Sequence, residues 1–148
     1  MSITCYRWVE PIETVVEPLL TLYRAIFEDA DDAYLTSRLP ELVDPMLWIA
    51  EDGEGWVGFK LAYRRGASLL YSWLGGVHPR VRGRGVAAAL MLRQHEAALA
   101  DGYTHVETRT RAANNAMLIA NLRHGFHVCG HEVDARGIPV VTLRKALA

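Results

Sequence analysis

The stretch from Leu69 to Ala100 changes its hydrophobic period once, and does so across a proline and two glycines. Leu69 to Val77 reads as a strand. Pro79 ends it, because proline withholds a ladder donor. Gly83 and Gly85 let the backbone turn tightly and approach another group with no Cβ in the way. Val86 to Ala100 then reads as a helix, closed at Asp101-Gly102, where glycine takes the left-handed cap. A strand that passes through a glycine loop straight into a helix aims unpaired N–H groups and the positive helix end at the loop. That arrangement binds phosphate. Arg80, Arg82 and Arg84 add charge there, with guanidinium forks suited to a polyphosphate.

The rest of the chain arranges itself around this unit. Ile3 to Val9 is an expected first strand. Leu19, Leu22, Tyr23, Ile26 and Phe27 share one face of a helix, with Thr14 and Glu17 at capping-box spacing before it. Glu28-Asp29-Ala30-Asp31-Asp32 breaks that helix and can cap a short second one running to Leu39. Met46 to Ala50, Trp56 to Tyr63 and Leu69 to Val77 form a three-strand meander. His105 to Thr110 is a strand, Asn115 to His124 a helix capped by Gly125, and Phe126 to Val133 and Val140 to Leu143 are the last strands. With about seven strands and about four helices in this order, the expected fold is α+β: a mixed, largely antiparallel twisted sheet flanked by helices.

Composition narrows the class. At 148 residues one domain, 1–148, is expected, and 51% hydrophobic against 22% charged residues suits a folded globular chain. A net charge of −1 supplies no global field for nucleic acid or an anionic membrane, so neither is an expected partner. No apolar run is long enough to cross a bilayer, and a cytoplasmic location is the expectation. Two cysteines, Cys5 and Cys129, read as free thiols rather than a disulfide framework.

Three bottom-up readings of the loop compete. A Walker loop requires Gly-Lys-Ser/Thr after its glycines, which is missing. Gly83-x-Gly85-x-x-Ala88 fits the dinucleotide fingerprint, but that motif takes its first glycine directly after the strand, whereas Pro79 and two arginines intervene here. A solvated basic turn is the third.

Val77-His-Pro-x-x-Arg82-Gly-Arg-Gly85-Val-Ala87 resembles the acyl-CoA-binding motif of the GNAT superfamily of N-acetyltransferases. Asn114-Asn-Ala-Met117-Leu-Ile-Ala-Asn121-Leu-Arg-His-Gly125-Phe126 is similar to that family's second signature. The resemblance covers nearly the whole chain, best from Tyr71 onward, and implies the acyl-CoA N-acyltransferase fold. It further implies that Gly76 and Val77 offer backbone groups to a pantetheine arm. The amides of Arg82, Gly83, Arg84, Gly85, Val86, Ala87 and Ala88 would hold a pyrophosphate, with Asn114 and Asn121 flanking the arm and thiol. Acetyl-CoA is the implied co-substrate, and no metal is expected. A homodimer is a further option that relatives use.

Acetyl transfer to an amine needs a neutral nucleophile, a polarised thioester carbonyl and a proton for the departing thiolate. The N–H of Val77 is an oxyanion donor in waiting. No carboxylate or histidine stands between Ser68 and Val77, where relatives carry a base. Glu107 is the first candidate, by strand alternation with Thr108 and Arg109; Glu28 and His78 are others. Asn121 occupies the place of a proton-donating tyrosine, and an amide cannot deliver a proton, which leaves Tyr71 or water. His127-x-Cys129-x-His131 would share one strand face, but no fourth ligand with metal spacing accompanies them.

The acidic junction of Glu28, Asp29, Asp31 and Asp32 suggests a cationic acceptor: a polyamine, an aminoglycoside-like amine or a basic peptide terminus. The same carboxylates also serve as helix caps. Two functions therefore stand: an amine acetyltransferase acting in a ternary complex on a small molecule or peptide, and a non-catalytic acyl-CoA sensor.

Overall fold

The structure is a computed structural model and describes residues 2–148. Its strands are β1 (Thr4–Trp8), β2 (Met46–Asp52), β3 (Gly55–Gly66), β4 (Leu69–Val77), β5 (His105–Arg111), β6 (His127–Val133) and β7 (Pro139–Ala146). Its α-helices are α1 (Val16–Ile26), α2 (Asp32–Arg38), α3 (Val86–Ala100) and α4 (Asn115–Arg123). The strands form one mixed sheet in the order β1-β2-β3-β4-β5-β7-β6. All neighbours are antiparallel except β4 and β5, which α3 connects in parallel. The expected α+β architecture is the one observed.

Each sheet face carries its own core because the strands alternate. On one face, Leu47, Ile49, Phe59 and Leu61 pack against Leu19, Leu22 and Tyr23 of α1 and Leu35 of α2. On the other, Met46, Ala62, Leu70 and Val106 meet Met91 and Ala98 of α3, while Ala50 and Val57 meet Val86 and Leu90. The apolar residues of α3 recur every three to four positions, so this helix buries one stripe along the sheet.

Three local readings change. The N-cap of α1 is Val15, without a side-chain bond; Thr14 instead donates to the Pro11 carbonyl and accepts from Trp8. The reason is Pro11, which starts a 3₁₀ turn over Ile12–Val15 before α1 begins. Pro18 is tolerated in the first turn of α1, where no intrahelical N–H is required. β7 runs beyond Leu143 because Arg144 and Lys145 still pair with Glu107 and Val106 of β5. In β6 a register shift falls at Cys129, so His127 pairs with Arg144 and His131 with Val141, neighbours on opposite faces. The bulge therefore separates the two histidines that simple alternation would have put together.

A second irregularity shapes the centre of the sheet. Leu61 pairs with Leu74 but Ala62 pairs with Ser72, which leaves Trp73 as an extra residue in β4. Trp73 and Leu74 consequently both pack on the α1 side.

Candidate active site

The parallel ladder between β4 and β5 is short. It runs from Leu69 opposite His105 to Ser72 opposite Thr108 and stops there. The Thr108 hydroxyl donates to the Ser72 carbonyl at 3.0 Å and closes the end of the ladder. Beyond it β5 continues beside β7 and β4 beside β3, so the two strands part and a gap opens between them.

Backbone alternation fixes what faces this gap. The N–H of His78 donates to Val57 at 2.7 Å, toward β3. In an antiparallel pair successive residues point to opposite sides, so the N–H groups of Val77 and Gly75 face away from β3, into the gap. The Val77 carbonyl is met there by Nε of Arg82 at 3.2 Å. Two amide donors along one edge, with no ladder partner, form a slot for an extended chain bearing carbonyl groups.

The slot leads to the glycine loop. Pro79–Val81 form a 3₁₀ turn, and Gly83 and Gly85 both have φ of +77°. A Cβ at either would meet nothing within 4 Å, so the left-handed backbone, not crowding, explains the glycines. Gly85 is the N-cap of α3 and offers no side chain to its first turn. The first backbone bond of the helix is Ala89 to the Gly85 carbonyl, which leaves the N–H groups of Val86, Ala87 and Ala88 outside the helical ladder. Slot and loop line one cleft of about 1040 Å³, together with Ile26, Phe27, Lys60 and Asn121.

Arg80 does not serve the loop as a free charge. Its guanidinium holds Asp52 through two bonds of 2.7 and 3.0 Å and reaches Glu54 at 3.2 Å, pinning the loop to the β2–β3 hairpin. That contact, helped by the backbone N–H of Glu54, pulls the Asp52 carboxyl down to about 2.

The cleft contains Gly76, Val77, Arg82, Gly83, Gly85, Val86, Ala87, Ala88 and Asn121 of the residues expected from the sequence. Arg84 belongs to the same exposed loop. Asn121 is buried, and its amide donates to Thr110 at 3.2 Å. Asn114 is not brought to the cleft: its Oδ1 caps α4 by accepting from the N–H of Met117. Its place at the head of the second signature is a capping signal.

Glu107 and Tyr71 are also not brought to the cleft. They sit opposite each other in the ladder and so share a sheet face. Glu107 is clasped by Arg65 at 3.2 Å and Arg144 at 2.9 Å. Arg65 lies over the Tyr71 ring, 3.7 Å from its centroid. Alternation placed Glu107 with Arg109, but two guanidiniums cover it, and a base in that position is not available. Burial raises the Tyr71 hydroxyl further above its ordinary range. Among the described residues no carboxylate lines the cleft. The acidic junction is largely engaged as well: Asp31 caps α2, Asp32 pairs with Arg24 and Asp29 with Arg111.

Lys60 was not anticipated. It stands half-buried in the apolar run Trp56–Ala62, and that position is the one sequence signal for it. Burial pulls its ammonium down to about 8. Behind it on α3, His95 is buried, and its Nδ1 accepts from Lys145 at 3.0 Å. Desolvation first, then the charges of Lys145, Lys60 and His124, lower His95 to about 3, so it is neutral in the fold. Among the described residues there is no cluster able to hold a metal ion, and no helix is long and apolar enough to cross a membrane.

A sequence model of the acetyltransferase (GNAT) domain matches residues 44–128, more than half of the chain. The chain belongs to the GNAT acetyltransferase family. No curated protein matches it by sequence. Among solved structures it is similar to the ribosomal-protein-S18-alanine N-acetyltransferase of Escherichia coli, at 12% identity and TM-score 0.84, covering 99% of this chain and 95% of that one. Nourseothricin acetyltransferase is 25% identical with a TM-score of 0.64, over 71% of this chain and 66% of that one. The PaiA N-acetyltransferase of Thermoplasma acidophilum, solved in complex with coenzyme A, is 16% identical with a TM-score of 0.73 over 99% of each chain.

Proposed function

We propose that this protein transfers the acetyl group of acetyl-CoA to a primary amine of a small molecule or peptide, by direct attack in a ternary complex. One observation carries the reading: the slot between β4 and β5 opens onto the free N–H groups at the start of α3. Slot donors suit the amides of a pantetheine arm, and the loop with Arg82 suits a pyrophosphate. Membership of the family and the likeness to a structure solved with coenzyme A support the same assignment.

The chain's own groups then have defined tasks. The N–H groups of Val77 and Gly75 polarise a thioester carbonyl, and such preorganised donors strengthen as charge develops on oxygen. Asn121 and Thr110 hold the α4 side of the slot by their mutual bond. The amine enters from the side of Ile26, Phe27 and Trp73, which line the cleft together with Arg109. This apolar and cationic approach favours a neutral or apolar amine over a polyamine. With no carboxylate at the cleft among the described residues, the nucleophile loses its proton to water before attack.

Thiol release from acetyl-CoA across a panel of small amines and peptide N-termini tests the reading. Turnover of at least one neutral or peptide amine is expected. Tight binding of acetyl-CoA with no turnover on any amine would favour a sensor instead.

A further inference from the structure

We infer that Lys60 is the proton donor to the sulfur of departing coenzyme A, the task that Asn121 cannot perform. The inference rests on the acetyl-CoA reading above. Three observations carry it, beginning with the path of the side chain. Lys60 stands on β3 directly opposite Gly75 of β4. A Cβ built at Gly75 would lie 3.3 Å from Lys60 Cγ and 2.9 Å from the Phe59 carbonyl. The lysine stem therefore leans over β4 at Gly75, where the absence of a Cβ leaves it that route. Gly75 lies midway along the unpaired part of β4, so the stem lies at the depth of the slot.

The second observation is where the stem ends. Lys60 lines the cleft, and its charge is felt by His95 on α3, whose ring touches Phe126 just after α4. Its stem thus leans from β3 over β4, toward the side where the slot runs. It makes no ion pair or hydrogen bond with any described residue, although half-buried lysines ordinarily find a partner. A thiolate forming in the slot supplies that partner.

The third is the absence of a rival. Around this spot stand His95 on α3, His124 at the end of α4, Lys145 on β7, Arg109 on β5 and Arg82 in the loop. His95 is neutral and already accepts a proton-side contact from Lys145. Nδ1 of His124 is engaged with the Ala120 carbonyl at 2.7 Å. Arginines do not release protons at these pH values. Burial also lowers Lys145, but its amine is engaged with His95 and it does not line the cleft; Lys60, lowered by burial, lines the cleft without such a partner.

The step balances without a further reagent. The amine nitrogen bonds to the carbonyl carbon, the C–S bond breaks with its electron pair on sulfur, and the Lys60 ammonium gives that sulfur a proton. The products are the amide and free thiol, and Lys60 regains its proton from the one that the attacking amine released.

The test begins with binding, so that it does not depend on the acceptor. Coenzyme A and its desulfo analogue are bound to the wild type, Lys60→Met and Lys60→Arg, and thiolate absorbance of the coenzyme A complex is followed with pH. The thiol ionisation constant is expected to fall about tenfold or more in Lys60→Met and to be kept in Lys60→Arg. His124→Gln is expected to leave it unchanged. With an amine from the panel, Lys60→Arg is expected to lose about 10²-fold or more in kcat, since a guanidinium holds its proton. If neither coenzyme A nor its desulfo analogue binds the wild type, the parent reading fails. If both bind but the thiol ionises alike in wild type and Lys60→Met, or follows His124→Gln instead, the role of Lys60 is overturned and the parent reading stands. Full turnover by Lys60→Arg would overturn the donor role as well.

Discussion

Gly76→Ala is the most revealing single change in this protein, because one methyl decides whether α1 can stay where it is. An added Cβ would stand 2.6 Å from Cγ2 of Ile26, with Cδ1 at 3.4 Å and Cβ at 3.7 Å. Carbon contacts settle at roughly 3.5–4.0 Å, so about 1 Å of movement is needed. A β-branched residue in a helix has one favoured χ1, and Cγ2 cannot swing away. The end of α1 must shift instead. Overpacking of this kind costs about 1–3 kcal/mol. Replacing a strand glycine returns roughly 0.5–1 kcal/mol of backbone entropy, which is too little to reverse the sign. Urea denaturation should therefore show Gly76→Ala destabilised by about 1–2 kcal/mol. Ile26→Ala removes the obstructing methyl, and the double variant should recover, with a coupling of about 1 kcal/mol or more. Ile26→Val keeps both γ carbons and should not rescue. An additive cycle, or a Gly76→Ala protein as stable as wild type, would refute the packing argument.

Three other outcomes follow from the same geometry. His95 is held at about 3 against 6.5 in an unfolded chain, so the unfolded state binds the proton first and stability falls as pH drops from about 6.5 toward 3. His95→Gln, which can still accept from Lys145, should escape a loss on the order of 4 kcal/mol, read as stability against pH. Asp52 lies at about 2, below its ordinary 3.8, so its clasp with Arg80 stabilises the fold above about 4 and is lost as pH falls through about 2. Asp52→Asn should lower Tm at pH 7, and the difference from wild type should vanish near pH 2. Gly85→Ala imposes a left-handed backbone on alanine at a cost of roughly 1–2 kcal/mol and sets a Cβ at the proposed pyrophosphate seat. Calorimetry should show weakened coenzyme A binding with the fold retained.

What could be read from the sequence is what short-range physics controls. The span of α3, the left-handed glycines at positions 102 and 125 and the strand before Pro79 all follow from residues adjacent in the chain. The backbone geometry of the glycine loop belongs to the same category. The surroundings of the candidate reacting groups do not. Glu107 was assigned by alternation, which gives a face but not a neighbour, and Arg65 and Arg144 reach it from positions 42 and 37 residues away. The His127–His131 pairing failed for a related reason, because a bulge leaves no mark in residue type. Lys60 escaped notice because its meaning depends on Gly75, and the two are brought together only by the β3–β4 register.

The brief ladder that Thr108 closes has a mechanical meaning beyond its lining of a cleft. The sheet is two plates, β1-β2-β3-β4 and β5-β7-β6, joined along a seam of four residue pairs from Leu69–His105 to Ser72–Thr108. A seam that short behaves as a hinge pin, and the angle between the plates sets the width of the slot. At the middle of that seam Leu70 faces Val106, both fully buried, so core packing rather than the slot lining holds the two plates at their angle. The width of the slot and the packing of the deepest core therefore meet at one joint.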